Sequence, residues 1–165
     1  MAARTLEHWA DAISTPREFG QLTTTAVRPC LEKFVGRRVR VLTFQLVQVM
    51  SGHGCFGHYL QWIKKEPITG CHHCPEPNST VHHTLAECPA WVRERGVLAR
   101  AVGCGEDELS LPRMARAMCG SEEVWGEAVS FCRSVLLRKE AAEWERHPVL
   151  TKAAMPGEYL CHTKC

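Results

Sequence analysis

The chain has 165 residues, of which 45% are hydrophobic and 23% are charged, and its formal net charge at pH 7 is +2. The length fits one compact domain with extensions, and the composition excludes a wholly disordered or low-complexity chain. The near-neutral charge excludes a strongly basic molecule, so any surface for nucleic acid has to be local.

Neither a membrane span nor an export signal is predicted. The longest apolar run, around residues 47–50, is interrupted by Gln48 and is far shorter than the roughly 20 residues that cross a bilayer. The N-terminus lacks the apolar run of a signal peptide. We therefore expect an intracellular protein of the nucleus or cytoplasm, not secreted and without a membrane partner. In a reducing compartment, its ten Cys indicate metal binding before disulfides.

The first half of the chain contains two predicted segments. Residues 1–28 show no sustained periodicity and are predicted to be a loosely ordered N-terminal segment. Residues 29–70 are predicted to be a helical segment, in which Pro29 begins a short helix before Gly36. The apolar spacing over 39–49 favours a second helix, although residues 41–44 also have strand composition. Two Gly flank His53 and predict a sharp turn, after which residues 55–63 form a short amphipathic helix.

Residues 92–148 are predicted to be a C-terminal helical segment. A helix over 92–102 is broken at Gly103, a second is capped by Ser110, and a third is capped by Ser121 and ends before Pro148. The third helix carries an apolar stripe with helical spacing, formed by Val124, Ala128, Phe131 and Val135. Residues 149–165 are predicted to be an unstructured tail. The predicted fold class is mainly α, with helical segments around residues 71–91 and irregular terminal tails.

The densest group of metal-binding residue types lies in residues 71–88, where seven of 18 residues are Cys or His. The spacing C-x2-C-x8-H-x4-C is formed by Cys71, Cys74, His83 and Cys88. Two Cys separated by two residues can bind one ion across a tight turn, and the Pro-rich loop can then return a His and a third Cys. Cys3His coordination suits Zn²⁺ and leaves no open position for a substrate. Residues 71–91 are thus predicted to be a CCHC zinc knuckle. His82 gives the alternative spacing C-x2-C-x7-H-x5-C, so the spacing leaves the His ligand open.

The same C-x2-C pair is also typical of thiol oxidoreductases. That function requires a strand before the motif and a helix that begins at the first Cys. Gly70 precedes the motif, and Pro75 and Pro77 follow it in a turn-rich stretch without a βαβ pattern. The redox interpretation is therefore disfavoured.

Aromatic and basic residues flank the predicted knuckle and indicate a surface for RNA or single-stranded DNA. Trp side chains can stack on unstacked bases while cations bind phosphate. Trp62 is a further stacking candidate, and the residues predicted to contact nucleic acid are Lys64, Lys65, Trp91, Arg93 and Arg95. The competing interpretation is that Trp91 covers the metal in the core and that the cations form an ordinary solvated face.

A series of short motifs follows a fixed order along the chain. They are Gly20 with L-T at 22–23, R-P at 28–29, Phe44 and Gln48, S-G-H-G-C-F at 51–56, Y-L at 59–60, C-H-H-C at 71–74, H-T-L at 83–85, C-P-A-W at 88–91, L-S-L-P at 109–112, R-A-M at 116–118, S-F-C at 130–132 and L-R-K-E at 137–140. With these motifs, about residues 9–146 resemble the C-terminal zinc-knuckle region of the Pol polyprotein of arthropod non-LTR, LINE-type retrotransposons. The resemblance implies that His83, which directly precedes Thr-Leu, is the ligand rather than His82.

In that family the endonuclease and the reverse transcriptase lie upstream of this region. No polymerase motif is present in this chain, so the resemblance implies a truncated or excised, noncatalytic piece of such a polyprotein. Residues 149–165 depart from the family pattern. The expected function is a zinc-binding module that helps hold template RNA or target DNA. The alternatives are a structural zinc domain that acts through protein contacts and a thiol oxidoreductase.

Overall fold

The computed structural model describes residues 2–14, 20–36 and 41–146 and is mainly helical, which confirms the predicted fold class. The helices are α1 (Ala2–Ser14), α2 (Gln21–Val27), α3 (Leu31–Val35), α4 (Phe44–Ser51), α5 (Gly57–Trp62), α6 (Val92–Val102), α7 (Leu111–Gly120) and α8 (Glu122–Arg146). No strand occurs in these ranges. None of the described helices is long and apolar enough to cross a membrane.

Helix α8 forms the centre of the fold. Helices α4, α6 and α7 all pack against it, and α2 packs against both α4 and α7. The predicted stripe of α8 is buried in this core, together with the neighbouring Cys132 and Leu136. Burial of this stripe removes apolar surface from water and so stabilises the helix against its neighbours.

The described part of residues 1–28, predicted to be a loosely ordered segment, contains α1 and α2. Ala26 and Val27 are buried, and the hydroxyl of Thr23 donates a hydrogen bond of 3.0 Å to the carbonyl of Met50 at the end of α4. Contacts with α4 and α7 thus hold a helix whose own sequence, rich in Thr, has a low helical propensity.

The helical segment predicted over residues 29–70 is present, with shorter helices than expected. A 3₁₀ turn at Arg28–Cys30 leads into α3, and α4 begins after Thr43, whose hydroxyl accepts from the backbone N–H of Leu46 at 3.3 Å. Residues 41–43 form neither helix nor strand, and 37–40 lie outside the described part. The predicted turn follows α4 at Gly52, which has a φ of +77°.

The helices after residue 91 match their predictions closely. Helix α6 ends at Gly103, which has a φ of +77°, and the hydroxyl of Ser121 accepts from the N–H of Val124 at 3.3 Å at the start of α8. Ser110 precedes α7, but its side chain makes no capping hydrogen bond. Pro148 and the predicted tail at 149–165 lie outside the described residues.

Candidate metal centre

The four predicted ligands meet at one place in the structure. The ligand atoms of Cys71, Cys74, His83 and Cys88, here called the Cys/His cluster, all lie within 4.8 Å of one another. The sulfur of Cys88 is 3.9 Å from that of Cys71 and 3.8 Å from that of Cys74, and the Cys74 sulfur is 3.3 Å from Nε2 of His83. Three sulfurs and one ring nitrogen therefore surround a common centre that could hold a metal ion.

The four ligands lie on one loop, residues 71–88, and backbone hydrogen bonds fold its first half. The N–H of Ser79 donates to the carbonyl of Thr69, and the N–H of Cys71 donates to the carbonyl of Glu76, both at 2.8 Å. The hydroxyl of Thr69 also donates to the carbonyl of Pro77 at 2.7 Å. The chain between residues 69 and 79 is thus turned back on itself, and residues 71–80 contain no helix. This arrangement lacks the helix that a thioredoxin-like redox motif needs at its first Cys.

A π-helical turn forms the second half of the loop. The turn runs from His83 to Glu87, and the N–H of Cys88 donates to the carbonyl of His83 at 2.8 Å. In an α-helix, residues five apart point about 140° away from each other around the axis. The wider π turn therefore allows His83 and Cys88, which are five residues apart, to reach the same centre. Such turns are frequent at functional sites.

The structure brings His83, and not His82, into the Cys/His cluster. His83 is buried, whereas the side chain of His82 is 62% exposed and its Nε2 lies 3.3 Å from the Glu87 carboxylate. The other carboxylate oxygen of Glu87 lies 3.5 Å from Nδ1 of His83. A carboxylate behind a His ligand orients the ring and raises its basicity. Burial lowers the pKa of His83, which favours the neutral imidazole that a metal requires.

The thiols of the cluster differ in acidity when no metal is bound. Burial raises the pKa of Cys71, but the backbone N–H of His73, the charge of Lys139 and the neighbouring thiols together bring it below its ordinary value. Burial raises the pKa of Cys88 to about 12, and the nearby Cys71 and Cys74 add to this increase. A divalent cation would offset the repulsion between thiolates, so metal binding at this site is expected to release protons.

Helix α8 places a buried charge, that of Lys139, beside the loop. The sequence analysis does not predict this residue as part of the site. Lys139 is 4% exposed, and its ammonium group donates to the hydroxyl of Ser79 at 3.3 Å. Burial lowers its pKa, whereas the charges of four cysteines, among them Cys71 and Cys88, favour the ammonium form. The burial of Lys139 can be predicted from the sequence, because Lys139 lies four residues after Val135 and thus continues the apolar stripe. A charge in that position indicates a buried partner.

The structure buries two of the predicted nucleic-acid contacts, Trp91 and Arg95. Trp91 is fully buried, with its ring 4.7 Å from that of His73 and the Arg138 guanidinium 4.5 Å from its centroid. Arg95 is 5% exposed and donates to the carbonyl of Cys88 at 3.0 Å and to the carboxylate of Glu106 at 3.2 Å. Both side chains support the loop from within and do not reach the surface.

The other predicted contact residues are accessible to a ligand. Lys64 and Arg93 are exposed, and the side chain of Lys65 is 42% exposed while it forms an ion pair with Glu143. Trp62 is also exposed. The accessible cations therefore occur on both sides of the loop in sequence, after α5 and at the start of α6.

Comparisons with known proteins identify no relative. No protein-family model, no curated protein and no solved structure matches this chain.

Proposed function

We propose that this chain is a noncatalytic zinc-binding module that binds RNA or single-stranded DNA. The observation that carries the proposal is the convergence of the four ligand atoms within 4.8 Å. The resemblance in sequence supports an origin in the C-terminal region of a retrotransposon reverse transcriptase polyprotein, where such a module would help hold template RNA or target DNA.

The donor set is the reason to propose zinc. Three thiolates and one imidazole form one of the usual ligand sets of structural zinc sites, and thiolates disfavour Mg²⁺ and Ca²⁺. The four protein ligands fill a tetrahedral shell, which leaves no position for water or substrate. A site of this kind stabilises a loop and does not perform a reaction, which is why the proposal is noncatalytic.

Accessible cations near the loop support nucleic acid as the ligand. Lys64 follows α5 and Arg93 lies in the first turn of α6, and each is exposed. The loop that ends at Cys88 joins these two elements, so a metal would fix their relative placement. Cations at fixed positions bind phosphate with a salt dependence that reports the number of contacts.

The burial of Trp91 and Arg95 favours the second candidate, a structural zinc domain that acts through protein contacts. Because both side chains support the loop, the metal and its surroundings are integrated with the helical core through α6 and α8. In this alternative the zinc only maintains the fold.

Salt-dependent binding of a labelled RNA separates the two candidates. We expect fluorescence anisotropy with a single-stranded 20-mer to show a dissociation constant that rises steeply between 50 and 200 mM salt. Lys64→Ala and Arg93→Ala should each weaken binding and reduce the slope by about 0.7 per lost contact. Arg116→Ala, which removes an exposed Arg from α7, is the matched control and should change neither the affinity for RNA nor its salt dependence. Absence of salt-dependent RNA binding by the zinc-loaded chain would favour the structural candidate.

A further inference from the structure

Three aromatic rings lie in series beside the turn that follows α4. The ring of His53 stacks on that of Tyr59 with centroids 4.8 Å apart and an interplanar angle of 28°. The ring of Tyr59 is in turn 5.9 Å from that of Trp62. We call these three side chains the aromatic row.

Both ends of the aromatic row are open to solvent. His53 is exposed, Trp62 is 62% exposed, and Tyr59 between them is half-buried against the core. Tyr59 therefore anchors the row while the outer rings remain available. Exposed aromatic rings that are already in contact lose little conformational freedom when a planar ligand stacks on them.

Helix α5, which carries Tyr59 and Trp62, is attached to the loop of the Cys/His cluster. The N–H of His58 donates to the carbonyl of Ser79 at 3.2 Å. Gly57 lies so close to Thr69 that a Cβ on Gly57 would be 2.1 Å from the Thr69 carbonyl oxygen. The aromatic row thus has a defined position relative to the proposed metal site.

The charges next to the aromatic row favour a polyanion. Residues 53–65 contain no Asp or Glu and end in Lys64 and Lys65. The first carboxylate after them, Glu66, is buried and bound to Arg146 at 3.1 Å, so it does not offset the exposed Lys64. Lys65 is paired with Glu143, so Lys64 is the cation that remains for a ligand. A planar stacking surface beside an exposed cation fits bases and phosphates together.

We infer that the aromatic row is the base-stacking site of this chain for single-stranded RNA or DNA, in place of the buried Trp91. Bases stack on Trp62 and His53, and Lys64 meets the adjacent phosphate. The inference rests on the proposed function and adds to it the surface that contacts the bases.

Substitution of Trp62 tests the inference with an exposed tryptophan of the same chain as its control. Trp62→Ala should weaken binding of a labelled oligouridine by about fivefold to 150-fold, the usual range for loss of one base-stacking ring. The salt dependence of oligouridine binding by Trp62→Ala should equal that of the unchanged chain, because the substitution removes no charge. Trp62→Phe should retain most of the affinity. Trp144→Ala removes a tryptophan that is 50% exposed on α8 and should leave binding unchanged.

A second measurement uses the unchanged chain and so does not depend on how the variants fold. Ultraviolet crosslinking to an RNA that contains 4-thiouridine, followed by peptide mass spectrometry, should locate the crosslinks at His53, Tyr59 or Trp62. Crosslinks elsewhere, or oligouridine binding by Trp62→Ala within twofold of the unchanged chain, would overturn this inference and leave the proposed function standing. Failure of the unchanged, zinc-loaded chain to bind any oligonucleotide would refute both.

Discussion

Lys139 and Arg95 are buried cations, and each contacts the loop of the Cys/His cluster. Lys139 donates to Ser79, and Arg95 donates to the carbonyl of Cys88. A buried charge is costly unless it has partners, and here the partners are loop atoms and, for Arg95, the carboxylate of Glu106. The two side chains therefore fix the loop to α8 and α6. A site of this chemistry also benefits from nearby positive charge, because a divalent ion with three thiolates has a net charge of −1.

Gly57→Ala should destabilise the protein, because the new methyl group would collide with the Thr69 carbonyl oxygen and displace α5 from the loop. We expect a loss of about 1–3 kcal/mol in the free energy of unfolding, as for other overpacked sites. Denaturant unfolding of the metal-loaded protein measures it. Gly126→Ala is the matched control: a Cβ there meets no atom within 4 Å, and inside α8 it should stabilise by about 0.5–1 kcal/mol. Equal effects of the two substitutions would show that α5 does not approach the loop as described.

Glu140→Gln should raise the melting temperature at pH 7 by a few degrees. Burial raises the pKa of Glu140, and the nearby Glu143 raises it further while Gln48 lowers it. The pKa of Glu140 in the folded state lies above its unfolded value of about 4.3, so the unfolded state loses this proton first as the pH rises. The ionised Glu140 therefore reduces the stability of the fold at pH values above about 4.3. The difference in melting temperature between Glu140→Gln and the unchanged protein should therefore become smaller as the pH falls from 7 toward about 4.3.

The control for Glu140→Gln is Glu123→Gln. Glu123 is exposed in the first turn of α8, where a negative charge is favourable to the helix dipole. Its substitution should lower the melting temperature slightly at pH 7. A lower melting temperature for Glu140→Gln would contradict the account of its burial.

Helix α8 connects the apolar core to the loop of the Cys/His cluster. Its N-terminal half buries Val124, Ala128 and Phe131 among the other helices, and its C-terminal half presents Arg138 to Trp91 and Lys139 to Ser79. One helix thus supports both parts of the molecule. The neighbouring Leu136 and Leu137 illustrate its two faces, because Leu136 is fully buried and Leu137 is 45% exposed.

Leu136→Ala should cost about 2–5 kcal/mol in the free energy of unfolding, because it leaves a cavity in the core. Leu137→Ala, one residue along the same helix, should change the stability by about 0.5 kcal/mol or less. Chemical denaturation followed by circular dichroism measures both. Similar costs for the two substitutions would mean that α8 is rotated from the orientation described.

Elements with strong local signals were predictable from the sequence. The start and end of α6 follow from apolar spacing and from Gly103, and the start of α8 follows from Ser121. The sequence analysis does not predict α1, although Leu6, Trp9 and Ala10 have helical spacing. It does not predict α2 either, because the stability of α2 comes from contacts with α4 and α7. The ligand types were predictable from their spacing. The π turn that presents His83 is not predictable from the ligand spacing, because π turns are rare single-turn features.

At the scale of the whole molecule, the protein combines a helical core with a loop that contributes few apolar residues to it. The core is formed mainly by α2, α4, α6, α7 and α8, and from residues 71–88 it receives only Val81, Leu85 and Cys88 as buried apolar side chains. The loop is otherwise held by backbone hydrogen bonds and by the buried charges of α6 and α8. A metal ion would join its two ends and contribute directly to its folding.

Removal of the metal should unfold the loop and leave most of the helical signal. After chelation we expect the far-ultraviolet circular dichroism to fall only modestly, because the buried apolar stripe of α8 packs against the other helices and contains no predicted metal ligand. Proteolysis should become rapid within residues 71–88, since local unfolding exposes them. RNA affinity should fall at the same time, because α5 loses its support at Ser79 and Thr69. Loss of most of the helical signal on chelation would show that the core does not fold without the metal.

The metal content of the purified chain, measured by elemental analysis, tests the central claim most directly. The account predicts one zinc ion per chain in the unchanged protein and in His82→Ala, and loss of tight binding in Cys88→Ser and His83→Ala. Folding of each variant is checked by circular dichroism. An unchanged protein that holds no zinc when purified from zinc-supplemented medium, or a His82→Ala variant that loses zinc while His83→Ala retains it, would contradict the account.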